Sequence, residues 1–341
     1  MPSIIALAES GWVPDSLVRL GIRAIVRERL RDERRAPPGT KAARTQGLKA
    51  STIALHTDAA NTQHYELPTS FFEQVLGPRL KYSASIYPDA TTSLADAEIH
   101  TLEMYAEHLG ISDGDRVLDL GCGWGSFALW MAARNPTVRI TAVSNSSVQR
   151  RYIEARAAEE RLTNLEVLTA DINELALPEA SFDKVISVEM FEHIRNYQAV
   201  LARISRWLSS EGQLFVHIFC HKDLLYPYEP VGETNWMARY FFTGGQMPAA
   251  DTLSAFQDDL RLQQTWHYDG THYQRTARHW LENMDERIDA VAPPLRDTYG
   301  EQHWRTWRQR WRMFFMAVEE MFGHAGGREW QVSHYLFCKP C

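Results

Sequence analysis

From about residue 96 to residue 221, short apolar runs alternate with amphipathic stretches of helical length. The apolar runs "RVLDLG", "RITAVS", "LEVLTAD", "FDKVISVE" and "GQLFVHIF" are typical of buried strands. Helix-like stretches such as "VQRRYIEARAAEERL" and "YQAVLARISRWL" lie between them. Strands joined by helices of this length imply right-handed crossovers. The pattern therefore predicts an α/β fold with a doubly wound, mainly parallel sheet of the Rossmann-like kind.

The regions on either side of this alternating segment predict additions to it. Residues 1–95 are expected to form an N-terminal helical extension that covers the ligand site, with "RAPPGTKAARTQG" as a polar linker. Residues 96–221 are expected to form the Rossmann-like core of the fold. Residues 222–320, aromatic and rich in Gly and Pro before becoming helical, predict a lid and a substrate-binding region. Residues 321–341 predict a C-terminal strand that completes the sheet.

Charge and cysteine content exclude several classes of protein. The formal net charge of −7 over 341 residues argues against nucleic acid as a partner, because phosphate binding needs a concentrated basic surface. Cys122, Cys220, Cys338 and Cys341 have no metal-ligand spacing, so no metal is expected. A disulfide framework is not indicated, which favours a cytoplasmic location. No signal peptide is recognisable and the apolar runs are too short to cross a bilayer, so membrane contact is not expected.

The stretch "VLDLGCGWGS" is the strongest local motif. A strand ends near Asp119, and Gly121, Gly123 and Gly125 let the backbone turn close to a ligand. The helix that follows presents free N–H groups to an anionic group. The dinucleotide fingerprint would need glycine where Ser126 stands, and the usual acid about twenty residues later is missing. NAD binding is therefore disfavoured, while a purely structural turn stays an alternative.

The stretch "SVEMFEHIRN" places two carboxylates and an imidazole at the carboxyl end of a predicted strand, where ligands bind in such sheets. Glu189, Glu192 and His193 stand at i, i+3 and i+4, so a helical turn would present them on one face. Carboxylates favour positive charge on a nitrogen, and a His or a carboxylate of matched pKa accepts its proton. Two like charges so close also predict one raised pKa. The alternative is an exposed helix start, where the dipole favours Glu.

These motifs resemble those of the class I S-adenosylmethionine (SAM)-dependent methyltransferases. Within that class the chain is similar to the branch that contains cyclopropane fatty acid synthases and plant coclaurine-type N-methyltransferases. The stretches that carry the resemblance are "QHYELPTSFF", "LKYSASIY", "VLDLGCGWGS", "VEMFEHIRNYQ", "RYFFTGGQMP" and "EWQVSHYLF", and they span nearly the whole chain. The second half resembles the N-methyltransferases more than the lipid enzymes.

The resemblance implies SAM as cofactor and S-adenosylhomocysteine (SAH) as product. It implies the following contacts, from the methionine end to the adenine: Tyr82, Ser83, Gly121 and Gly123 with the methionine part, Ser144 and Gln149 with the ribose hydroxyls, and Asp171 and Ile172 with the adenine. Asp119 would either contact the cofactor or position the loop through backbone hydrogen bonds.

The resemblance also implies N-methylation of a small amine with an aromatic or apolar body. His193 would be the base or its orienter, Glu189 and Glu192 would attract the nitrogen, and Glu66 would add a carboxylate. One alternative is a cyclopropane-synthase-like enzyme acting on unsaturated acyl chains. Those enzymes have a motif like "YSCAY" where this chain has "YSASIY", so Ala84 replaces their cysteine. Another is a non-catalytic cofactor-binding or partner-binding protein. The sequence leaves a homodimer open.

Three further stretches have two interpretations each. The histidines of "FVHIFCHK" predict a structural role or a pocket wall rather than a metal site. The stretch "HWRTWRQRWRMFF" predicts buried tryptophans with stacked arginines rather than a membrane surface. Trp266, Tyr268 and Tyr273, with "RYFFTGGQMP", predict an aromatic cage around the substrate or simple packing within the lid.

Overall fold

The computed structural model of the protein describes residues 4–55, 67–229 and 235–340. A seven-stranded sheet with the strand order β3-β2-β1-β4-β5-β9-β8 forms its centre, and β6 pairs with β7 in a small separate ribbon. The strands are β1 (Arg116–Leu120), β2 (Arg139–Ser144), β3 (Leu165–Thr169), β4 (Phe182–Val188), β5 (Leu208–His221), β6 (Tyr226–Pro227), β7 (Gln246–Met247), β8 (Arg261–Asp269) and β9 (Trp330–Cys338).

Helices precede, separate and follow these strands. In chain order they are α1 (Ile4–Glu9), α2 (Asp15–Arg34), α3 (Thr40–Leu48), α4 (Thr69–Val75), α5 (Leu94–Leu109), α6 (Ser126–Arg134), α7 (Ser147–Glu159), α8 (Tyr197–Trp207), α9 (Trp236–Tyr240), α10 (Thr271–Glu286), α11 (Ile288–Tyr299) and α12 (Trp304–Phe322). No helix among the described ranges has the length and apolarity needed to cross a membrane.

The parallel part of the sheet confirms the predicted doubly wound fold. Strands β1 to β5 pair in parallel, and helices α6, α7 and α8 provide three of the four connections, while the connection from β3 to β4 contains no helix. Their apolar side chains, such as Val117, Leu118 and Val185, are fully buried, as expected for strands covered on both faces. The order of the strands reverses between β1 and β4. This topological switch point is where ligands bind in open α/β sheets.

Two predictions about the outer parts of the fold are wrong. The expected linker contains helix α3, because the breakers in "RAPPGT" end at Gly39, whose φ is +87°, and helix formers follow. The stretch "TWHYDGTHY", expected in a lid, supplies most of β8 at the edge of the sheet. Strand β9 runs antiparallel between β5 and β8 and is therefore an interior strand.

The C-terminal helix α12 confirms the core interpretation of "HWRTWRQRWRMFF". Trp311 and Phe315 are fully buried and Trp304 is nearly so. The guanidinium of Arg305 lies 4.5 Å from the centre of the Trp304 ring. Helix α2 packs on α12, where Arg19 pairs with two buried carboxylates of that helix. The N-terminal extension is thus joined to the C-terminal helices.

Candidate active site

Two loops meet at the switch point of the sheet. The glycine loop follows β1, and the acid–His stretch follows β4. The two strands are hydrogen-bonded neighbours, with Leu118 opposite Val185 and Asp119 opposite Ile186. Parallel neighbours end at the same edge, so the sheet itself brings the two motifs together.

The glycine loop needs its glycines for two different reasons. Gly121 and Gly125 have φ values of +81° and +75°, and an added Cβ would lie 2.8 Å from Met190 and 2.7 Å from Ile153. Gly123 has a φ of +53°, but an added Cβ would meet no described atom within 4 Å. Gly121 and Gly125 are therefore required by packing, whereas Gly123 faces open space in a cleft.

That cleft consists of two cavities that share Gly121, Gly123 and Glu189. The first has about 760 Å³ of empty space, some of it open to solvent, and includes the predicted ribose residues together with Ile172. The second, of about 540 Å³, includes Tyr82, Ser83 and Asp119. The fold thus brings the predicted cofactor residues together along the glycine loop, with one exception.

The exception is Asp171, which lies beside the cleft and is not part of its lining. Its Oδ1 accepts a hydrogen bond from the backbone N–H of Asn173 at 2.7 Å. The part of the cleft where the sequence predicts the adenine is instead lined by apolar groups, including Ala54 and Leu55 of the N-terminal segment. Neither residue could be predicted from the sequence, because nothing about an apolar residue type marks it as a ligand contact.

Polar atoms in the cleft fit an adenosyl and amino-acid ligand. The Ser144 hydroxyl donates to Gln149 Oε1 at 2.6 Å, which leaves Gln149 Nε2 buried and without a partner among the described residues. Within the same described ranges, Asp119 Oδ2 and Ser126 Oγ are also buried and unpartnered. Such atoms are costly unless a ligand or water pairs with them. With the open space at Gly123, they match the groups that SAM presents.

Burial excludes the alternative that the acid–His stretch is an exposed helix start. The Glu189 side chain is 7% exposed and Glu192 is 1% exposed, while His193 is half-buried at a cavity wall. The predicted helical turn is wrong in detail. Glu189 has a left-handed φ of +45°, and only a short 3-10 turn follows, at Phe191–His193. All three side chains nevertheless line one pocket with about 600 Å³ of empty space, called here the amine pocket after the substrate that the resemblance implies.

Three donors converge on the carboxylate of Glu189. Its Oε1 accepts from the backbone N–H of Ala84 at 2.8 Å and lies 3.2 Å from His217 Nε2. Its Oε2 accepts from the Tyr273 hydroxyl at 2.8 Å. Burial raises the pKa of Glu189 to about 7, and the positive charge of Lys81 opposes that rise. The carboxyl group is therefore balanced between its two protonation states near neutral pH.

His217 is part of a buried hydrogen-bonded network behind Glu189. Its Nδ1 lies 2.8 Å from the Tyr105 hydroxyl and 2.9 Å from His334 Nε2. An ionised carboxylate can only accept, so His217 donates from Nε2 and accepts at Nδ1 when Glu189 is charged. These contacts confirm the structural interpretation of "FVHIFCHK". In the described part of the chain, no group of three or more candidate ligands could hold a metal.

The other two cluster members are held in their neutral forms. Burial, followed by the nearby charge of Glu189, raises the pKa of Glu192 well above its usual range. Burial lowers the pKa of His193 to about 4, although Glu189 opposes that shift. The raised carboxyl pKa that the sequence predicted occurs in both acids, and burial is its larger cause.

Aromatic and sulfur-containing side chains form the rest of the amine pocket. Tyr273 and Phe242 line it, as the predicted cage required, and the His193 ring lies 4.7 Å from that of Phe242. Trp266 and Tyr268 do not line it, because β8 carries them to the edge of the sheet. Further lining residues that sequence analysis did not identify are Phe219, Tyr228, Met237, Phe314, Val318, Met321 and Phe322.

One predicted carboxylate cannot be placed, and one charged residue of the site was not predicted. Glu66 lies outside the described residues. Lys81, which sequence analysis overlooked, is 2% exposed and lines the cofactor cleft. Its Nζ donates to Ser83 Oγ at 2.8 Å and to the carbonyl of Ala84. The sequence did not indicate that this lysine, directly before the "YSAS" motif, is buried in the site, since lysine is usually a surface residue.

Comparison with known proteins shows which family the chain is similar to. The model of the mycolic acid cyclopropane synthetase family matches residues 54–327. An (S)-coclaurine N-methyltransferase of Thalictrum flavum subsp. glaucum is 36% identical, over 97% of this chain and 94% of that protein. The cyclopropane-fatty-acyl-phospholipid synthase of Escherichia coli K12 is 32% identical, over 81% of this chain and 67% of that enzyme.

Solved structures show the same relationship. The crystal structure of a coclaurine N-methyltransferase bound to N-methylheliamine and SAH matches with a TM-score of 0.93 and 35% identity, over 97% of both chains. The cyclopropane synthase MmaA2 of Mycobacterium tuberculosis shares the fold, with a TM-score of 0.69 and 20% identity over 85% of this chain and 100% of that one.

The fold and the site define a class I SAM-dependent methyltransferase, with SAM as cofactor, as the sequence predicted. The chain belongs to the family that unites the mycolic acid cyclopropane synthetases with the coclaurine-type N-methyltransferases, and it is more similar to the N-methyltransferases.

Proposed function

We propose that the protein methylates the nitrogen of a small amine with an aromatic or apolar body, and that the acid–His cluster binds and deprotonates this amine. One observation carries the proposal. Glu189 lines both cavities of the cofactor cleft and also the amine pocket, so a buried carboxylate stands where the methyl donor and the acceptor would meet. The N-methyltransferase relatives support the choice of an amine.

Binding of the amine follows from the charges in the pocket. An alkylamine enters mostly as an ammonium ion, which an ionised Glu189 attracts. The faces of Tyr273 and Phe242 stabilise the same positive charge. Because Glu192 is held protonated, it offers a hydrogen bond without adding a second buried negative charge. When bound, SAM supplies the electrophilic methyl carbon.

Deprotonation of the amine falls to Glu189 or His193. A general base works best when its pKa lies near the working pH, and Glu189 meets this condition with a pKa of about 7. His193 is neutral, so its imidazole can accept a hydrogen bond from the N–H of the amine and direct the lone pair. We therefore assign the proton to Glu189 and orientation of the nitrogen to His193, which refines the roles expected from the sequence.

The cofactor contacts are part of the same proposal. Tyr82, Ser83, Gly121 and Gly123 would hold the methionine part, and Ser144 and Gln149 the ribose hydroxyls, with Ile172 against the adenine. Asp119 would receive the amino group of the methionine part, because its unpartnered Oδ2 accepts such a donor. The adenine contact of Asp171 stays a prediction.

Acyl-chain modification is the less supported alternative. Ala84 occupies the position of the cysteine in the "YSCAY" motif of the lipid enzymes and brings no thiol to the site. An acid-lined pocket also suits a cation better than an uncharged alkene. We further expect a cytoplasmic location and a small molecule, rather than nucleic acid or a membrane, as partner. A homodimer remains an expectation.

Transfer of a labelled methyl group tests the proposal. The full chain is incubated with methyl-labelled SAM and either a panel of aromatic and alkyl amines or vesicles of unsaturated phospholipid. Label in an amine supports the proposal, whereas label in acyl chains alone would replace it by the lipid reaction. Calorimetric titration with SAH shows separately that the protein is folded and binds the cofactor.

A further inference from the structure

A second apolar cavity lies behind the amine pocket and has no role in the proposed reaction so far. This rear cavity has about 830 Å³ of empty space, part of it open to solvent. Its walls include Ile22 and Ile25 on α2, Trp236 at the start of α9, and Met313 and Ala317 on α12. Neither the proposed cofactor residues nor the acid–His cluster belong to its lining.

Three side chains separate the rear cavity from the amine pocket. Tyr228, Met237 and Met321 line both spaces and therefore form a shared wall. Methionine is unbranched and has three rotatable side-chain bonds, so it adapts to what lies beside it better than other apolar residues do. Two of the three wall residues can thus change rotamer without disturbing the backbone.

Polar groups in the lining of the rear cavity are paired with one another or with a residue outside it. The Arg29 guanidinium donates to Asn235 Oδ1 at 2.5 Å and lies 5.5 Å from the centre of the Tyr226 ring. The indole N–H of Trp236 donates to Glu9 at 2.7 Å. The surface offered to a ligand is therefore mainly aliphatic, aromatic and sulfur-containing, and it suits an uncharged arm.

We propose that the rear cavity receives an apolar arm of the methyl acceptor, with Met237 and Met321 as the gate between the nitrogen and that arm. This inference rests on the proposed N-methyltransferase function. With the nitrogen at Glu189, an acceptor that extends past the two methionines fills apolar space that a compact amine leaves empty. Helix α2 of the N-terminal extension is then a specificity element, because it supplies one wall of the cavity.

Selectivity between two matched amines measures this effect. One is a compact bicyclic secondary amine, and the other is the same amine extended by an aryl group through a short linker. We expect the extended amine to have the higher kcat/KM in the wild-type protein, by about tenfold or more, since even one methylene in an apolar pocket is worth about tenfold.

Filling the rear cavity should remove that selectivity. Ala317→Phe on α12 and Ile22→Trp on α2 add bulk from two different helices of the lining, and neither position lines the amine pocket or the cofactor cleft. Each should lower the ratio of kcat/KM for the extended amine over the compact amine by about tenfold or more. Ala24→Phe, on the exposed side of α2, is the matched control and should leave the ratio unchanged.

The ratio does not depend on the fraction of folded enzyme, so partial misfolding of a variant cannot mimic the result. Dissociation constants of the two amines, measured by calorimetry with SAH present, should show the same loss. An unchanged ratio in both filled variants would overturn the role of the rear cavity. If wild-type protein methylates neither amine, the proposed function fails, and the calorimetric ratio still decides whether the cavity binds the arm.

Discussion

The carboxylate of Glu189 is held in place by a backbone conformation that is unfavourable for its residue type. A left-handed φ costs an L-residue about 1–2 kcal/mol, and Glu189 has a φ of +45°. This strained turn directs the Glu189 side chain to the donors of Ala84, His217 and Tyr273. Strain of this kind is common where a functional group must point in one direction.

Replacing the carboxylate by an amide tests its charge. Glu189→Gln keeps the shape but removes the negative charge that attracts the ammonium and accepts its proton. We expect kcat/KM for the amine at pH 8 to fall by about 10² or more, the usual loss when one electrostatic group of an active site is removed. The affinity for SAH, measured by calorimetry, should change much less. Equal kcat/KM in both proteins would exclude Glu189 from the reaction.

The pKa of Glu189 also predicts a dependence on pH. A carboxyl group whose pKa is raised to about 7 is charged above pH 7 and becomes neutral as the pH falls through that value. The affinity for a quaternary ammonium ligand, which has no ionisation of its own, should therefore rise with pH through about 7 in the wild type and stay constant in Glu189→Gln, so the ratio of the two affinities, measured by calorimetry with SAH present, should rise with pH. His193, with its pKa of about 4, is neutral above pH 5 and therefore adds no further pH dependence in that range. A ratio that is flat from pH 5 to 9 would contradict this assignment.

At the scale of elements, the glycine loop contains one glycine that we expect to be needed for cofactor binding, Gly123, and one that is needed for packing, Gly125. Gly123→Ala should lower the free energy of unfolding by about 1–2 kcal/mol, because alanine is placed at positive φ, and its methyl group enters open space. The same methyl should obstruct the cofactor. Stabilisation by SAH, about 2.7 kcal/mol at a hundred times the dissociation constant for the wild type, should largely disappear.

Gly125→Ala provides the contrast in the same loop. Its Cβ would lie 2.7 Å from Ile153, so we expect a larger loss of unfolding free energy than for Gly123→Ala. Urea unfolding of both variants, with and without SAH, measures the two effects together. A Gly123→Ala protein that SAH stabilises as much as the wild type would show that the cofactor lies elsewhere.

The contact between α2 and α12 rests on an unusual concentration of charge. Arg19 binds Glu319 at 2.7 Å and Glu320 at 2.9 Å, and these carboxylates are only 5% and 9% exposed. Arg19→Ala should lower the free energy of unfolding by about 1–3 kcal/mol, since buried charges lose a hydrogen-bonded partner. Arg27→Ala, on the exposed side of α2, is the control, and urea midpoints at constant m-value compare the two. Equal shifts would show that the ion pairs add little.

Local sequence patterns predicted the elements whose signal is local. Periodicity identified the parallel strands and the helices, and glycine spacing identified the turn after β1. The network behind Glu189 could not be predicted in this way, because Tyr105, His217 and His334 come from three elements far apart in sequence. Nor could β8, since its pairing with β9 depends on a strand about 70 residues later. Position after a strand, not spacing along a helix, brought the acid–His cluster together.

At the scale of the whole molecule, the N-terminal segment ties the two halves of the site to each other. Ile53 accepts a hydrogen bond from the N–H of Arg195, in the loop after β4, at 2.7 Å. Ala54 exchanges hydrogen bonds with the side chain of Asn173, in the loop after β3. Ala54 therefore lines the cavity proposed for the adenine end of the cofactor, and Tyr82 lines the cavity proposed for its methionine end.

This arrangement predicts that the cofactor orders the N-terminal segment. Ala54 and Leu55 line one cavity of the cleft and residues 80–83 line the other, so local opening of the segments 50–55 and 80–86 should require release of the ligand. Hydrogen exchange there should slow by up to about 100-fold with SAH at a hundred times its dissociation constant. The edge strand β8 is the internal control, because it lines neither cavity of the cleft and its exchange should not change. Equal protection of all three segments would indicate global stabilisation by SAH instead. If residues 50–55 and 80–86 gain no protection, the N-terminal segment does not close over the cofactor.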